Sequence, residues 1–113
     1  MLFQTKLIQS IAKEVKKELL VEIQNNGHYS TIKPKANAPK FTSANFKIVN
    51  DEYSEFIAYI DDTKRRALVE EFEGRNEVTA ITHNCEVRIP LNNTDRCVRD
   101  VLKTLELAEI ERK

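Results

Sequence analysis

Apolar residues recur at four-residue steps across residues 3–24. Phe3, Leu7, Ile11, Val15, Leu19 and Ile23 share one stripe, Ile8 and Ala12 widen it, and Lys6, Lys13, Lys16 and Lys17 lie mostly on other sides. That spacing predicts a long amphipathic helix. Asn25-Asn26-Gly27 follows as a stop, because Asn and Gly accept the left-handed backbone that ends helices. Residues 28–45 lose the periodicity. They hold one short predicted strand, His28 to Lys33, then Pro34, Pro39 and lysines at 33, 35 and 40, so they read as a basic, mobile loop.

The pattern then changes to β. Phe46-Lys47-Ile48-Val49 and Phe56-Ile57-Ala58-Tyr59-Ile60 are rich in strand formers, and Asn50-Asp51-Glu52 starts a turn between them. Residues 63–73 fit two readings. Asp62 or Thr63 caps a short helix with Leu68, Val69 and Phe72 inward and Gly74 ending it, or the segment returns as a third strand after an Asp61–Lys64 turn. Length and capping residues favour the helix.

Residues 77–91 alternate with period two, Thr79, Ile81, His83, Cys85, Val87, Ile89 and Leu91 on one face. They form one long strand or a hairpin turning near His83-Asn84. Asn92, Asn93 or Thr94 then caps a last helix with Val98, Val101, Leu102, Leu105 and Ala108 inward. The expected fold is a single α+β domain over 1–113, with a long N-terminal helix, an antiparallel sheet of about four strands and a C-terminal helix on one face.

Composition narrows the chemistry. Only 2 Gly leave little for a phosphate-cradling loop, and no apolar run reaches the roughly 18 residues of a membrane span. Four lysines in the first helix argue against a signal peptide, and two cysteines on a Lys- and Glu-rich chain fit a reducing cytoplasm. No membrane partner is expected.

His83 and Cys85 share a strand face, with Cys97 and His28 as further donors, but the spacing matches no compact zinc pattern. Cys85 and Cys97 are the candidate nucleophiles, and the position of Cys97 in the first turn of the last helix, beside Arg96 and Arg99, favours a thiolate. A nucleophile also needs a base and an orienting group, and neither is visible. No P-loop, dinucleotide fingerprint or serine elbow occurs. The expectation is a non-catalytic protein with no cofactor and no metal.

Net charge is zero, yet unevenly placed. Residues 1–50 carry eight Lys and three Glu, a balance of +5, and residues 51–113 carry ten basic and fifteen acidic residues, a balance of −5. Two readings follow: a mixed, solvated surface, or a bipolar molecule whose basic side docks on the acidic side of a second copy, a head-to-tail contact that closes into a ring. Nucleic acid is a further candidate partner through the basic first half with Tyr29 and Phe41. The absence of Arg before residue 64 and the zero balance disfavour it.

Ala38-Pro39-Lys40-Phe41-Thr42-Ser43 ahead of the predicted hairpin, and Ala67-Leu68-Val69-Glu70-Glu71-Phe72-Glu73-Gly74 after it, give the chain a family likeness. With the basic first helix, they resemble the bacteriophage head–tail joining and tail-completion proteins. Ser43 stands where that family has glycine, and the second segment corresponds to a strand in its pattern. The resemblance implies a ring-forming virion protein of the neck or tail end, assembled in the cytoplasm, with itself and neighbouring virion proteins as partners. The alternative is a small partner-binding module, such as a secretion chaperone or host-defence inhibitor.

On the assembly reading, Lys33, Lys35, Lys40 and Phe41 meet Glu70, Glu71 and Glu73 of a neighbour. Lys35→Glu is then expected to weaken assembly, and a compensating Glu71→Lys to restore part of it. Light scattering after gel filtration checks this, and single variants that assemble like wild type end the pairing idea.

Overall fold

A computed structural model describes the backbone of residues 2–113 and the side chains from Lys6 onward, so the expected place of Phe3 on the helix stripe lies outside the described residues. The element order is α1 (Leu2–Glu18), β1 (Val21–Asn25), β2 (Tyr29–Pro34), β3 (Phe41–Asn50), β4 (Tyr53–Asp61), a 3-10 turn (Asp62–Lys64), α2 (Arg65–Phe72), β5 (Glu77–Ile81), β6 (Asn84–Pro90) and α3 (Asp95–Leu107). The strands form one antiparallel sheet in the order β1-β2-β3-β4-β6-β5. The α+β class holds, but the described sheet has six strands, not about four.

The first correction concerns the N-terminal helix. It stops at Glu18, and residues 21–24 of the helix expected over 3–24 belong to strand β1. Leu19, Val21 and Ile23 alternate with Leu20, Glu22 and Gln24, so the apolar residues at 19 and 23 satisfy a strand as well as a helix. Pairing decides between them, because β1 lies along β2 from Val21↔Pro34 to Asn25↔Ser30. Backbone bonds from Leu20 N–H to the Glu111 carbonyl (2.8 Å) and from Lys113 N–H to the Glu18 carbonyl (3.0 Å) fix the point where the helix ends. Asn25-Asn26-Gly27 thus turns a hairpin, with Gly27 at φ +89°, where a side chain would be strained.

The second correction is the basic loop, which is shorter than 28–45. The short strand expected from His28 to Lys33 is there as β2, and β3 begins at Phe41, leaving only 35–40 irregular. Even this stretch is tied down: Lys35 N–H bonds the Leu20 carbonyl (3.0 Å), and the Lys40 carbonyl accepts from Asp61 N–H (2.8 Å).

Residues 65–72 are helical, so the segment likened to the second motif of the phage family is α2 and its C-terminal turn, not the strand that pattern requires. Asp61, not the expected Asp62 or Thr63, caps the 3-10 turn that leads into it, its carboxylate accepting from the Thr63 backbone N–H (3.0 Å) and hydroxyl (2.6 Å), while Lys64 at the start of α2 makes no side-chain cap bond. Leu68 and Phe72 point into the core as expected, but Val69 is exposed. Glu73 at φ 51° and Gly74 at φ 81° end the helix.

Residues 77–90 form a hairpin, not one strand, turning through Thr82-His83 between the Ile81↔Asn84 pair. The turn shifts the parity. Val78 pairs with Val87 and Ala80 with Cys85 on the inner side, so Thr79 and Ile81 face away from Cys85, Val87 and Ile89. Thr94 caps α3, its hydroxyl accepting from Cys97 N–H (3.2 Å).

One core joins these parts. Leu7, Ile8, Ile11 and Val15 of α1, Leu68 and Phe72 of α2, and Cys97, Val101 and Leu105 of α3 bury against Ile32, Ala44, Phe46, Phe56, Ala58, Ile60, Val87 and Ile89 of the sheet. Phe46 and Phe56 pair across β3 and β4 with ring centroids 5.5 Å apart. Among the described residues, no helix packs on the opposite face of the sheet.

Truncating such a residue removes its burial and leaves a cavity. Phe56→Ala is expected to destabilise the fold by about 3–5 kcal/mol, while Val69→Ala on the outer side of α2 stays within roughly 0.5 kcal/mol. Denaturant titration of both variants checks this, and equal losses would contradict the buried place of Phe56 and the outward one of Val69.

Candidate functional site

Two polar constructions stand out from the ordinary solvated surface. The first crosses the uncovered sheet face. Arg88 of β6 donates from Nη1 to Glu55 Oε1 of β4 (2.8 Å) and from Nε to Glu86. Tyr59 donates to Glu86 Oε2 (2.9 Å) and Tyr53 to Glu55 Oε2 (3.0 Å). The register explains the network, since Tyr59 lies opposite Glu86 and Ile57 opposite Arg88, which puts Glu55 diagonal to the guanidinium. One guanidinium between two carboxylates leaves the cluster one negative charge, and every member is hydrogen-bonded.

The second is an open groove of about 580 Å³ on the helical side. The end of α1, the end of α2, residues 73–75, α3 and Arg112 build its walls. Asp100 of α3, almost fully buried, accepts from Arg75 (3.0 Å) and Asn76 (2.8 Å), pinning the segment before β5 to α3. This carboxylate raises Arg75 further above its ordinary value by hydrogen bonding. Arg112 bridges Glu18 and Glu106, both at 3.1 Å. The lining is neutral in sum, with five acidic and five basic residues, but segregated. Four of the carboxylates (Glu18, Glu73, Asp100 and Glu106) are held by just two cations, Arg75 and Arg112. Arg96, Arg99 and Lys103, at i, i+3 and i+7 on one face of α3, make no ion pair among the described residues.

No protein-family model, curated protein or solved structure matches this chain.

The contact residues named from sequence fall into two groups. Lys33 and Phe41 line one shallow surface hollow, with Lys35 exposed beside it; Phe41 packs partly on the core and Lys40 sits next to Asp61 at the entry to α2. Glu71 and Glu73 line the α3 groove, whereas Glu70 pairs with Arg66 along α2 (3.1 Å). The acidic end of the expected bipolar surface is thus interleaved with arginines of α3. In the sequence, Arg96 and Arg99 bear only on the neighbouring Cys97. Their spacing with Lys103 was the signal for a cationic row.

The thiol and metal candidates separate. His83 sits exposed in the β5–β6 turn and His28 exposed in the β1–β2 turn, while Cys85 and Cys97 are buried. Burial pushes both thiols up, against the thiolate that a nucleophile requires. Among the described residues, no group of three or more His, Cys, Asp or Glu is placed to hold a metal ion. No described helix is long and apolar enough to cross a membrane.

The tyrosine–carboxylate network makes stability depend on pH at both ends. The Arg88 hydrogen bond, chiefly, holds Glu86 below its ordinary 4.5. A carboxyl lowered by folding stabilises above its unfolded pKa, and that contribution is lost as pH falls through the lower folded value. The hydrogen bond to Glu86, then burial, raises Tyr59 above its ordinary 10.0. That contribution is present below the unfolded value and lost as pH rises through the folded one. Tyr53 is also raised, by burial first and then by its bond to Glu55. Tyr59→Phe should flatten the alkaline fall in thermal stability, and Glu86→Gln the acid fall as well. Melting curves across pH decide, and parallel alkaline profiles for Tyr59→Phe and wild type would show that the bond does not couple to folding.

Proposed function

We propose that this chain is a non-catalytic protein-docking module that seats an acidic segment of a partner protein along α3. The observation that carries the proposal is the row Arg96, Arg99 and Lys103, which lines the groove and makes no ion pair among the described residues. Guanidinium groups bind carboxylates in bidentate fashion, and a helix face presents them at fixed spacing. The rest of the groove is held rigid by the Arg75–Asp100 and Arg112–Glu18 pairs, so an incoming segment meets cations already in place. The buried, raised thiols support the non-catalytic half of the reading.

A second reading, a ring-forming component of a phage neck or tail end, rests on Ala38–Ser43 leading into the β3–β4 hairpin, as the resemblance implies. It loses support at 67–74, where α2 replaces the expected strand. Of the two, the docking module has the better physical basis.

Fluorescence anisotropy with a labelled glutamate-rich peptide tests the proposal. Wild type is expected to bind in a salt-sensitive manner, and the Arg96→Glu/Arg99→Glu variant to bind about tenfold or more weakly. Lys35→Glu, away from the groove, serves as the matched charge control. Equal binding by wild type and the groove variant overturns the proposal, as does retention of a duplex oligonucleotide in preference to the peptide.

A further inference from the structure

The two edges of the sheet are built differently. β1 is blunted: it carries the exposed charge Glu22, and the Leu19↔Arg112 bridge with its flanking backbone bonds lays residues 111–113 beside its start. β5, the other edge, reads Glu77-Val78-Thr79-Ala80-Ile81. It has one charge at its first position, no proline and no lysine. Four of its five residues are exposed, and Ile81 is 41% exposed. Its inner neighbour is β6, and among the described residues no backbone bond reaches it from the outer side. Edge strands of stable monomers are normally protected by charges, proline, bulges or a covering segment. This one has none of these along positions 78–81.

We infer that β5 is a pairing edge whose occupant is β5 of a second copy of this chain, joined antiparallel about a two-fold axis at Thr79. The sequence of the strand is self-complementary in that register. Glu77 falls opposite Ile81 of the other copy, Val78 opposite Ala80, and Thr79 opposite Thr79. No like charges oppose, which is the usual obstacle to symmetric strand pairing. The faces also match. Glu77, Thr79 and Ile81 stay on the uncovered side of both sheets, and Val78 and Ala80 stay on the helical side, where half-buried Val78 meets exposed Ala80. A register moved by one residue would place uncovered-side residues opposite helix-side ones. A two-fold interface of this kind is isologous and closes at two copies. Five residue pairs form a small contact, so the association depends on concentration.

Thr79 supplies the test, because its side chain is exposed and both native cysteines are buried. Full-length Thr79→Cys is expected to form a disulfide-linked dimer under mild oxidation, whereas Gln24→Cys on the opposite edge stays monomeric. Thr79→Lys, which opposes two cations at the axis, should weaken self-association at least tenfold in sedimentation equilibrium, with circular dichroism confirming its fold. If Thr79→Lys fails to fold, the cysteine comparison alone decides. A single-chain mass for wild type up to millimolar concentration, or equal cross-linking of the two cysteine variants, overturns the inference. An extended peptide of another protein pairing on β5 of a monomeric chain overturns it too.

Discussion

Everything else in this molecule depends on burying one face of the sheet. Phe46, Phe56, Ala58, Ile60, Val87 and Ile89 have almost no exposure, and three helices are needed to cover them. Burial of that apolar surface is the dominant favourable term, and it is non-directional. Hydrogen-bonded pairing then selects which segments form the face. Pairing is what converts residues 21–24 from helix to strand and holds the 35–40 connection against the sheet. Most of the buried apolar residues lie on one side of the sheet, and the other side carries the polar cluster around Arg88, with Ile57 buried opposite it.

That second side is not a plain hydrated surface. Glu55 and Glu86 are largely withdrawn from water, a position that is unfavourable for a carboxylate without a partner. Arg88 and the two tyrosines compensate by satisfying them, and the result is an ordered patch in the middle of the uncovered face. On the helical side the same economy gives a different outcome. Asp100 and Arg112 gather neighbouring charges into tight clusters, while Arg96, Arg99 and Lys103 have no carboxylate partner among the described residues. Two regions of one surface thus differ in kind: one is electrostatically closed, and the other has unused donors.

Much of the fold was legible from sequence, and the failures share a cause. The Phe46–Ile60 hairpin, the capped helix over 95–107 and the helical choice for 65–72 all rest on local signals: strand formers around a turn, a cap within Asn92–Thr94, and Asp62 or Thr63 with Gly74 as brackets. The end of α1 was not legible, because Leu19 and Ile23 fit both periods and the deciding contacts lie in β2 and at residues 111–113. Thr79 and Ile81 were placed on the wrong face because a two-residue turn reverses parity, and periodicity read straight through it. Val69 was misplaced for a similar reason: a two-turn helix has room for only two inward positions, which Leu68 and Phe72 fill. The groove was invisible for a stronger reason. It joins Glu18, Glu71, Arg75, Arg99 and Arg112, which are far apart in the chain, and nothing local records that they meet.

The groove and the β5 edge share a structural element. Residues 73–76 form part of the groove through Glu73 and Arg75 and lead directly into Glu77, the first residue of the edge strand. Asp100 fixes the end of that connection next to β5 by holding both Arg75 and Asn76. Removing a buried carboxylate leaves its former partners unsatisfied, at a cost larger than the bonds themselves contributed. A change at Asp100 would therefore disturb the groove wall, the start of β5 and the core beneath α3 at once, and would say nothing about any one of them. Arg96 and Arg99 on one side and Thr79 on the other have side chains that leave the core untouched. Substitutions there separate recognition along α3 from pairing along β5, which share a scaffold and are distinct surfaces.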